Sequence, residues 1–486
     1  MNLKNPINKK TFRLVHLLIG ALTLCTIGFY SMDVAMWGGS LDRNMISNET
    51  NMPDKWDPST SLNIKWTAAL GSQTYGNPVI SGGKIFVGTN NEGRRNPKLG
   101  GDRGVVMCFR ESDGQFLWQA SSTKLESGRV NDWPLQGVCS SPFIEGDRLY
   151  YVSNRCEVVC LDTEGFSDGE NDGPFVSETD TSKIDGDIIW KLDMMGELDV
   201  FPHNLAVCSP IAVGELLFVV TANGVDESHI HIPFPYAASF IAVNKHTGKV
   251  VWQDNSPGTE IMHGQWSNPA YSVINGVPQV IFPGGDGWVY SFEPETGKLI
   301  WKFNANPPEA FYELGGSGTK NDFIATPVIY DNKIYVGLGQ DPEHGEGISH
   351  LYAIDATQKG DVTQTAVVWH RGYDDFNRTM STVAIHDGLV YAADLSGFVY
   401  CLDAQTGELY WTYDTFAAIW GSPYFVDGKV YIGDEDGDVA VLKAGKQMEL
   451  LYEVNMGSAV YTTPVAKNGV LYVTNRSTLF ALAITK

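Results

Sequence analysis

At 486 residues, with 34 Lys plus Arg against 57 Asp plus Glu and a net charge of −23, the chain makes a poor partner for nucleic acid, because phosphate binding needs clustered positive charge. Thirteen Trp, twenty-one Tyr and fifty-one Gly, with few long helical periodicities, favour an all-β protein. The seven cysteines form neither a CxxC pair nor a zinc-type spacing with histidine, so they announce no structural metal site.

At the start of the chain Lys4, Lys9, Lys10 and Arg13 precede an uncharged run from Leu14 to Tyr30, the order of an export signal or a signal anchor. About seventeen residues can just span a bilayer. Residues 1–31 are therefore read as an N-terminal hydrophobic helix that anchors the chain with its basic end in the cytoplasm, a cleaved signal peptide being the alternative. Leu24 before Cys25 is too large for a good lipoprotein box. Residues 32–62 are polar and turn-rich and read as a linker that drapes over the domain.

From residue 63 to 486 one pattern recurs. Its best-formed copy is Leu389 to Trp411: three short runs of β-branched, aromatic and aliphatic residues divided by tight turns at Gly397 and Gly407, the pattern of an antiparallel meander. A first marker is Ser, Thr or Asn before Pro at the end of the first strand: Asn77-Pro78, Ser141-Pro142, Ser209-Pro210, Asn268-Pro269, Thr326-Pro327, Ser422-Pro423 and Thr463-Pro464, with Ser381-Thr382 in the same place. That makes eight units. Proline cannot donate a ladder bond, so it belongs on an edge strand such as the innermost strand of a propeller blade. A second marker is a Trp closing the fourth strand after a Gly-bearing turn, at Trp118, Trp252, Trp301 and Trp411, with Trp190 and Trp369 behind insertions. The seventh unit offers only Tyr452. The eighth lacks a fourth strand, and Asn63-Ile64-Lys65-Trp66 supplies one, so the two ends of the chain should close the ring and remove its open edges. Cys108, Cys160 and Cys401 fall in third strands and read as core thiols.

The run Leu-Asp-Ala-Gln-Thr-Gly-Glu-Leu-Tyr-Trp ending at Trp411 resembles the tryptophan-docking repeat of the pyrroloquinoline-quinone-type eight-bladed β-propellers. The resemblance covers residues 63 to 486 and implies four-stranded blades around a central funnel. That superfamily contains quinoprotein alcohol dehydrogenases, which bind pyrroloquinoline quinone and calcium in the funnel. It also contains the propeller lipoprotein of the outer-membrane assembly machine, which has no cofactor.

The connections between second and third strands, and those between blades, lie on one face. The long ones fall at Asn90 to Arg103, Val225 to Ala238 and Gln340 to Ser349, and before units two, four and five. Seven of the ten histidines lie in them or at their ends: His203, His229, His231, His263, His344, His350 and His370. Loops on a rigid scaffold are the usual place for binding. Three residues back from each marker stand Tyr75, Cys139, Val207, Trp266, Ile324, Thr379, Trp420 and Tyr461. Six back stand Ser72, Gln136, Asn204, His263, Asn321, Phe376, Ala417 and Ser458. Polar groups above aromatic walls make a plausible small-ligand funnel, for which Gln136, Asn204, His263, Gln265, Trp266, Asn321 and Trp420 are the candidate lining. Polar residues at a channel mouth that merely meet water are the plain alternative.

The quinoprotein dehydrogenases carry a vicinal Cys-Cys disulfide against the cofactor; the nearest match here is Cys139-Ser140, and Cys139 and Cys208 lie one residue out of register. Trp266, Trp420 or Trp288 could stack on a planar ring, and no motif places one there. Asp341 to Glu346 and Asp226 to His231 hold oxygen and imidazole groups able to take a divalent metal, although solvated loops with turn chemistry are the preferred reading. The Glu164 to Asp187 insertion has eight carboxylates without EF-hand spacing, and Asp434 to Asp438 reads as a hairpin turn. There is no P-loop, dinucleotide fingerprint or Ser-His-Asp signature. The sequence is read as a membrane-anchored, extracytoplasmic (periplasmic) scaffold for envelope proteins or receptor for a small ligand, with no catalytic residue or metal ligand assigned. The alternative is a quinoprotein oxidoreductase of alcohols or sugars using pyrroloquinoline quinone and calcium.

Overall fold

A computed structural model of the protein describes residues 34–313, 318–340, 349–372 and 375–484. The expected anchor at 1–31 lies outside them, and no helix among the described residues is long and apolar enough to cross a membrane. Eight antiparallel sheets follow in order, called blades 1 to 8: residues 79–123, 143–193, 211–254, 270–304, 328–372, 384–414, 424–455 and 465–482, the last completed by Ile64–Ala69. That N-terminal strand pairs antiparallel with Thr478–Leu482, Trp66 against Ala481 and Ala69 against Thr478. The ring is thus closed by both ends of the chain, as expected. Two blades gain a short parallel strand: Ile46–Ser47 on the inner edge of blade 7, and Gly360–Asp361 on the outer edge of blade 4.

The proline marker stands one step from where the sequence pattern placed it. Pro78, Pro142 and Pro210 immediately precede the first strands Val79–Ser81, Phe143–Glu145 and Ile211–Val213 rather than ending them. The missing N–H is tolerated there because the ladder begins one residue later, with Val79 opposite Phe86.

The residue before each proline has a purpose that the pattern did not disclose. The Asn77 N–H donates to Ser141 Oγ (2.9 Å), Ser141 N–H to Ser209 Oγ (2.9 Å) and Ser209 N–H to Asn268 Oδ1 (2.5 Å). Asn268 Nδ2 donates to Thr326 Oγ1 (2.7 Å), Thr326 N–H to Thr382 Oγ1 (3.3 Å) and Thr382 N–H to Ser422 Oγ (2.9 Å). Ser422 N–H donates to Thr463 Oγ1 (3.2 Å), and Thr463 N–H returns to Asn77 Oδ1 (2.6 Å). A side chain with an acceptor is therefore required in every blade, and together the eight form an unbroken belt around the axis.

Outside the belt, the blades dock through tryptophan. The Trp118 indole donates to Thr163 O (3.1 Å), Trp190 to Lys245 O (3.0 Å), Trp252 to Pro294 O (2.8 Å), Trp369 to Ala404 O (2.9 Å) and Trp411 to Gly445 O (2.8 Å). In each case the acceptor belongs to the next blade. The glycine of the Thr-Gly turns is fixed by the same contact: Gly407 has φ +72°, and a Cβ there would meet the Trp369 ring at 2.7 Å. Trp301 is the exception, donating within its own blade to Gln279 Oε1 (2.8 Å). Blade 7, which has no such Trp, receives Trp56 from the N-terminal segment. Trp56 is fully buried, 6.3 Å from the rings of both Tyr431 and Tyr452.

The segment 34–62 does more than drape. It runs from blade to blade along the inner strands, whose inward N–H groups would otherwise form an open edge. Ile80 N–H donates to Val34 O (3.0 Å), Ile144 to Ala35 O (2.8 Å), Tyr271 to Leu41 O (2.8 Å), Ile329 to Asp42 O (3.0 Å), Ile385 to Asn44 Oδ1 (2.8 Å) and Phe425 to Met45 O (2.9 Å). Arg43, fully buried, spreads its guanidinium over the carbonyls of Trp37 (2.8 Å), Ser209 (2.5 Å) and Pro269 (2.9 Å). This strap closes one end of the central channel.

Candidate functional site

Above the strap the channel holds a cavity of about 160 Å3. Seven of the eight residues counted three back from the markers line it: Tyr75, Cys139, Val207, Trp266, Ile324, Trp420 and Tyr461, with Trp37 of the strap and belt residues Asn77, Ser209, Asn268, Ser422 and Thr463. In blade 6 Met380 lines it in place of Thr379, whose hydroxyl donates instead to Ala393 O (2.6 Å). That unit has no proline after its marker to hold the register. Tyr75 and Tyr461 stack at 4.8 Å with ring planes 13° apart, and Trp420 packs edgewise on Tyr461 at 5.5 Å. Trp420 Nε1 and Tyr461 Oη donate to Glu435 at 3.4 and 3.5 Å.

The candidate lining residues separate by what their side chains hold. Trp266 and Trp420 face the cavity. His263 is buried beside Trp266, ring centroids 5.0 Å apart and planes perpendicular. Gln265 is buried too, but its amide donates to Asn223 O (2.9 Å) and Ser239 Oγ (3.0 Å), tying it to blade 3. Asn321 is locked by its backbone to Asn306, whose side chain both accepts from the Asn321 N–H and donates to its carbonyl, each at 2.7 Å. Asn204 is half-buried in a left-handed conformation, φ +59°, and its carbonyl accepts from Trp133 N–H (2.8 Å). Gln136, half-buried, ends the Trp133 turn. Trp288 lies on blade 4 under the Lys302 ammonium, 4.4 Å from its ring, and not against the cavity. The described cysteines are free thiols, so Cys139 and Cys208 are not paired; Cys108, Cys160 and Cys401 are buried, and desolvation raises all three thiols.

Histidines gather where the sequence only scattered them over one face. His203, His229 and His263, from three different connections around blade 3, bring ligand nitrogens within 4.8 Å of one another. Of the three, His263 holds a ring position, His203 sits one residue before such a position, and His229 belongs to the Asp226 to His231 run already noted for its metal-ligating groups. A second pair lies in blade 5, where His350 Nδ1 and His370 Nε2 are 2.9 Å apart. Burial lowers both imidazoles, His350 to about 4. His231 is exposed, and the Asp341 to Glu346 run with His344 lies outside the described residues.

Three buried carboxylates of this face cap turns. Asp286 accepts from Trp288 N–H and from Tyr290 Oη (2.5 Å), and burial pushes it up to about 6. Asp394 accepts from Phe398 N–H and Tyr400 Oη. Asp434 accepts from Asp438 N–H, which accords with the hairpin reading of 434–438, and burial raises it to about 6. The acidic insertion packs on blade 1 through Gln119 N–H to Ile184 O and Asn96 Nδ2 to Asp185.

Comparison with known proteins adds family to fold. Residues 179–369 and 349–448, more than half of the chain, match the PQQ_2 family, described as outer membrane protein assembly factor BamB. The outer membrane protein assembly factor BamB of Yersinia pestis is 25% identical over 289 residues, 59% of this chain and 64% of that protein. The chain thus spans a little less than two thirds of that relative's length. Among solved structures, BamB from Moraxella catarrhalis aligns over 86% of this chain and 96% of its own at 16% identity, TM-score 0.51. The quinohemoprotein alcohol dehydrogenase ADHIIG from Pseudomonas putida aligns over 94% and 81% at 13% identity, TM-score 0.64. These two likenesses are of fold.

The donor set tests the quinone and calcium that the dehydrogenase branch implies. Calcium takes six to eight oxygen ligands, carboxylates foremost. The cavity lining contains no Asp, Glu, Arg or Lys; the Glu435 carboxylate behind it is bonded to Trp420 and Tyr461, and the cluster of three convergent groups at the mouth is imidazole. Among the described residues the lining does not fit calcium or a polyanionic quinone.

Proposed function

Since this chain belongs to the PQQ_2 family of propellers, described as outer membrane protein assembly factor BamB, we propose that it is an extracytoplasmic binding scaffold that holds an envelope protein on its loop face. The membrane anchor at residues 1–31 is part of this reading. The observation that carries it is a set of large apolar side chains exposed on that face. Ile230, Tyr236, Phe311 and Phe416, on connections of blades 3, 4 and 6, are 66%, 84%, 51% and 88% exposed. Exposed aromatic side chains on loops are the composition of a protein interface. A small-ligand receptor is less well supported: the 160 Å3 cavity is below the several hundred Å3 usual for such pockets.

A photo-reactive residue at position 236 or 416 in the intact protein, in cells that make it, tests the scaffold. A discrete adduct with an envelope protein is expected from both positions. No adduct at either, or a stoichiometric bound chromophore with dye-linked dehydrogenase activity when purified protein is given the quinone and calcium, would overturn it.

A further inference from the structure

We propose that His203, His229 and His263 form a binding site for one divalent transition metal of the zinc class at the mouth of the channel. The inference stands apart from the scaffold reading, since it needs no protein partner. Three imidazoles come from three separate connections: His203 between blades 2 and 3, His229 between the second and third strands of blade 3, and His263 between blades 3 and 4. Their ring centroids lie 4.2 to 4.7 Å apart.

Hydrogen bonds to backbone carbonyls hold the cluster together. Val225 N–H donates to His263 O (2.9 Å), Gly224 N–H to Phe201 O (2.9 Å), and Trp266 Nε1 to His203 O (3.2 Å). Gly224 lets the loops approach: a Cβ there would meet His263 O at 2.6 Å and His203 Cβ at 2.8 Å. The tautomer of His203 follows from its partner. Nδ1 lies 2.7 Å from the carbonyl oxygen of Val225, which can only accept, so Nδ1 carries the proton and Nε2 carries the lone pair. A backbone carbonyl on the far nitrogen is the usual support of a metal-ligating histidine.

The donors select the metal. Nitrogen ligands alone disfavour calcium and magnesium, while imidazole suits zinc, copper and nickel. Three protein ligands leave a fourth position for water or an exogenous group. Tetrahedral zinc with nitrogen at about 2.0–2.1 Å separates its donors by about 3.4 Å. The nitrogens already lie within 4.8 Å of one another, so that spacing asks only for a small adjustment of the rings, and His229 is half-buried on its loop while the other two are buried.

The test uses the full chain, treated with chelator and titrated with Zn2+ by calorimetry and with Co2+ by visible absorption. One metal per chain is expected, with the intense d–d bands of four-coordinate Co2+, and a melting temperature that rises on adding Zn2+. His229→Gln, on a half-buried loop residue whose loss leaves the core intact, should weaken binding at least tenfold and abolish the thermal shift. His386→Gln, remote in blade 6, should leave both unchanged. No saturable one-to-one binding of either ion, weak six-coordinate Co2+ bands, or equal affinity in His229→Gln would overturn the site.

Discussion

The backbone N–H of Thr463 donates to Oδ1 of Asn77 at 2.6 Å, joining blade 8 to blade 1 across 386 residues of chain. It completes the belt of Ser, Thr and Asn side chains, and so shares with the Ile64–Ala69 strand the task of closing the ring. Closure of this kind is a long-range contact, whose chain entropy is recovered only when the last blade arrives.

Asn77→Ala removes that acceptor and leaves the Thr463 N–H, on a residue 2% exposed, without its partner. A buried donor left unsatisfied costs about 1–3 kcal/mol. The variant should therefore unfold at lower denaturant than wild type, while Asn77→Asp, which keeps the acceptor, should lose less. A midpoint for Asn77→Ala indistinguishable from that of wild type would show that the belt contributes nothing.

Arg43 is the corresponding tie for the strap. Its guanidinium is fully buried, lowered to about 10 by desolvation, and remains charged at neutral pH. It is satisfied by backbone carbonyls rather than by a carboxylate. Arg43→Lys cannot reproduce a planar fork that spans three carbonyls, and Arg43→Ala strands them all. Each charged hydrogen bond lost costs about 1.5–3 kcal/mol, so Arg43→Ala should be the more damaging, and limited proteolysis should cut residues 34–62 faster in both variants than in wild type.

The fold was legible where its chemistry is local. A Thr-Gly turn before Trp411 reports its own docking because the glycine and the indole of successive blades touch, and the ring closure by Trp66 followed from a missing strand. The parts that stayed hidden depend on irregular backbone. Trp56 belongs to no repeat, so nothing in the spacing could place it in blade 7. Thr379 and Met380 exchanged positions because that unit lacks the proline that holds the others in register. The histidine cluster needed three loops of unrelated length to converge. Gln265, one residue from Trp266, had the right place in the chain but its amide serves blade 3.

Trp411 and Trp266 separate scaffold from site. Trp411 is 7% exposed with its indole bonded to Gly445 O, and truncation to Ala should cost about 3–5 kcal/mol. Trp266 is half-buried and faces the cavity, so Trp266→Ala should lower the melting temperature much less. Equal losses, measured side by side, would mean that Trp266 is as structural as Trp411.

Between pH 4 and 7 two sets of buried groups act with opposite sign. His350 and His370 are lowered by burial, and His350, at about 4, also by the neighbouring ring. An imidazole of about 6.5 in the unfolded chain takes up its proton there before it does in the fold. Its contribution to stability is then complete above about pH 6.5 and drains away as pH falls toward 4. Asp286 and Asp434, raised to about 6 by burial, bind protons in the fold before the unfolded carboxyl near 3.9 does. Their contribution is greatest at acid pH and declines as pH rises through 6. His350→Gln should thus flatten the acid-side loss, and Asp286→Asn, which can keep both turn hydrogen bonds, should gain most relative to wild type above pH 6. Denaturation midpoints at pH 4.5, 5.5 and 7.5 check both. A His350→Gln profile parallel to wild type would remove the imidazole pair as a source of acid sensitivity.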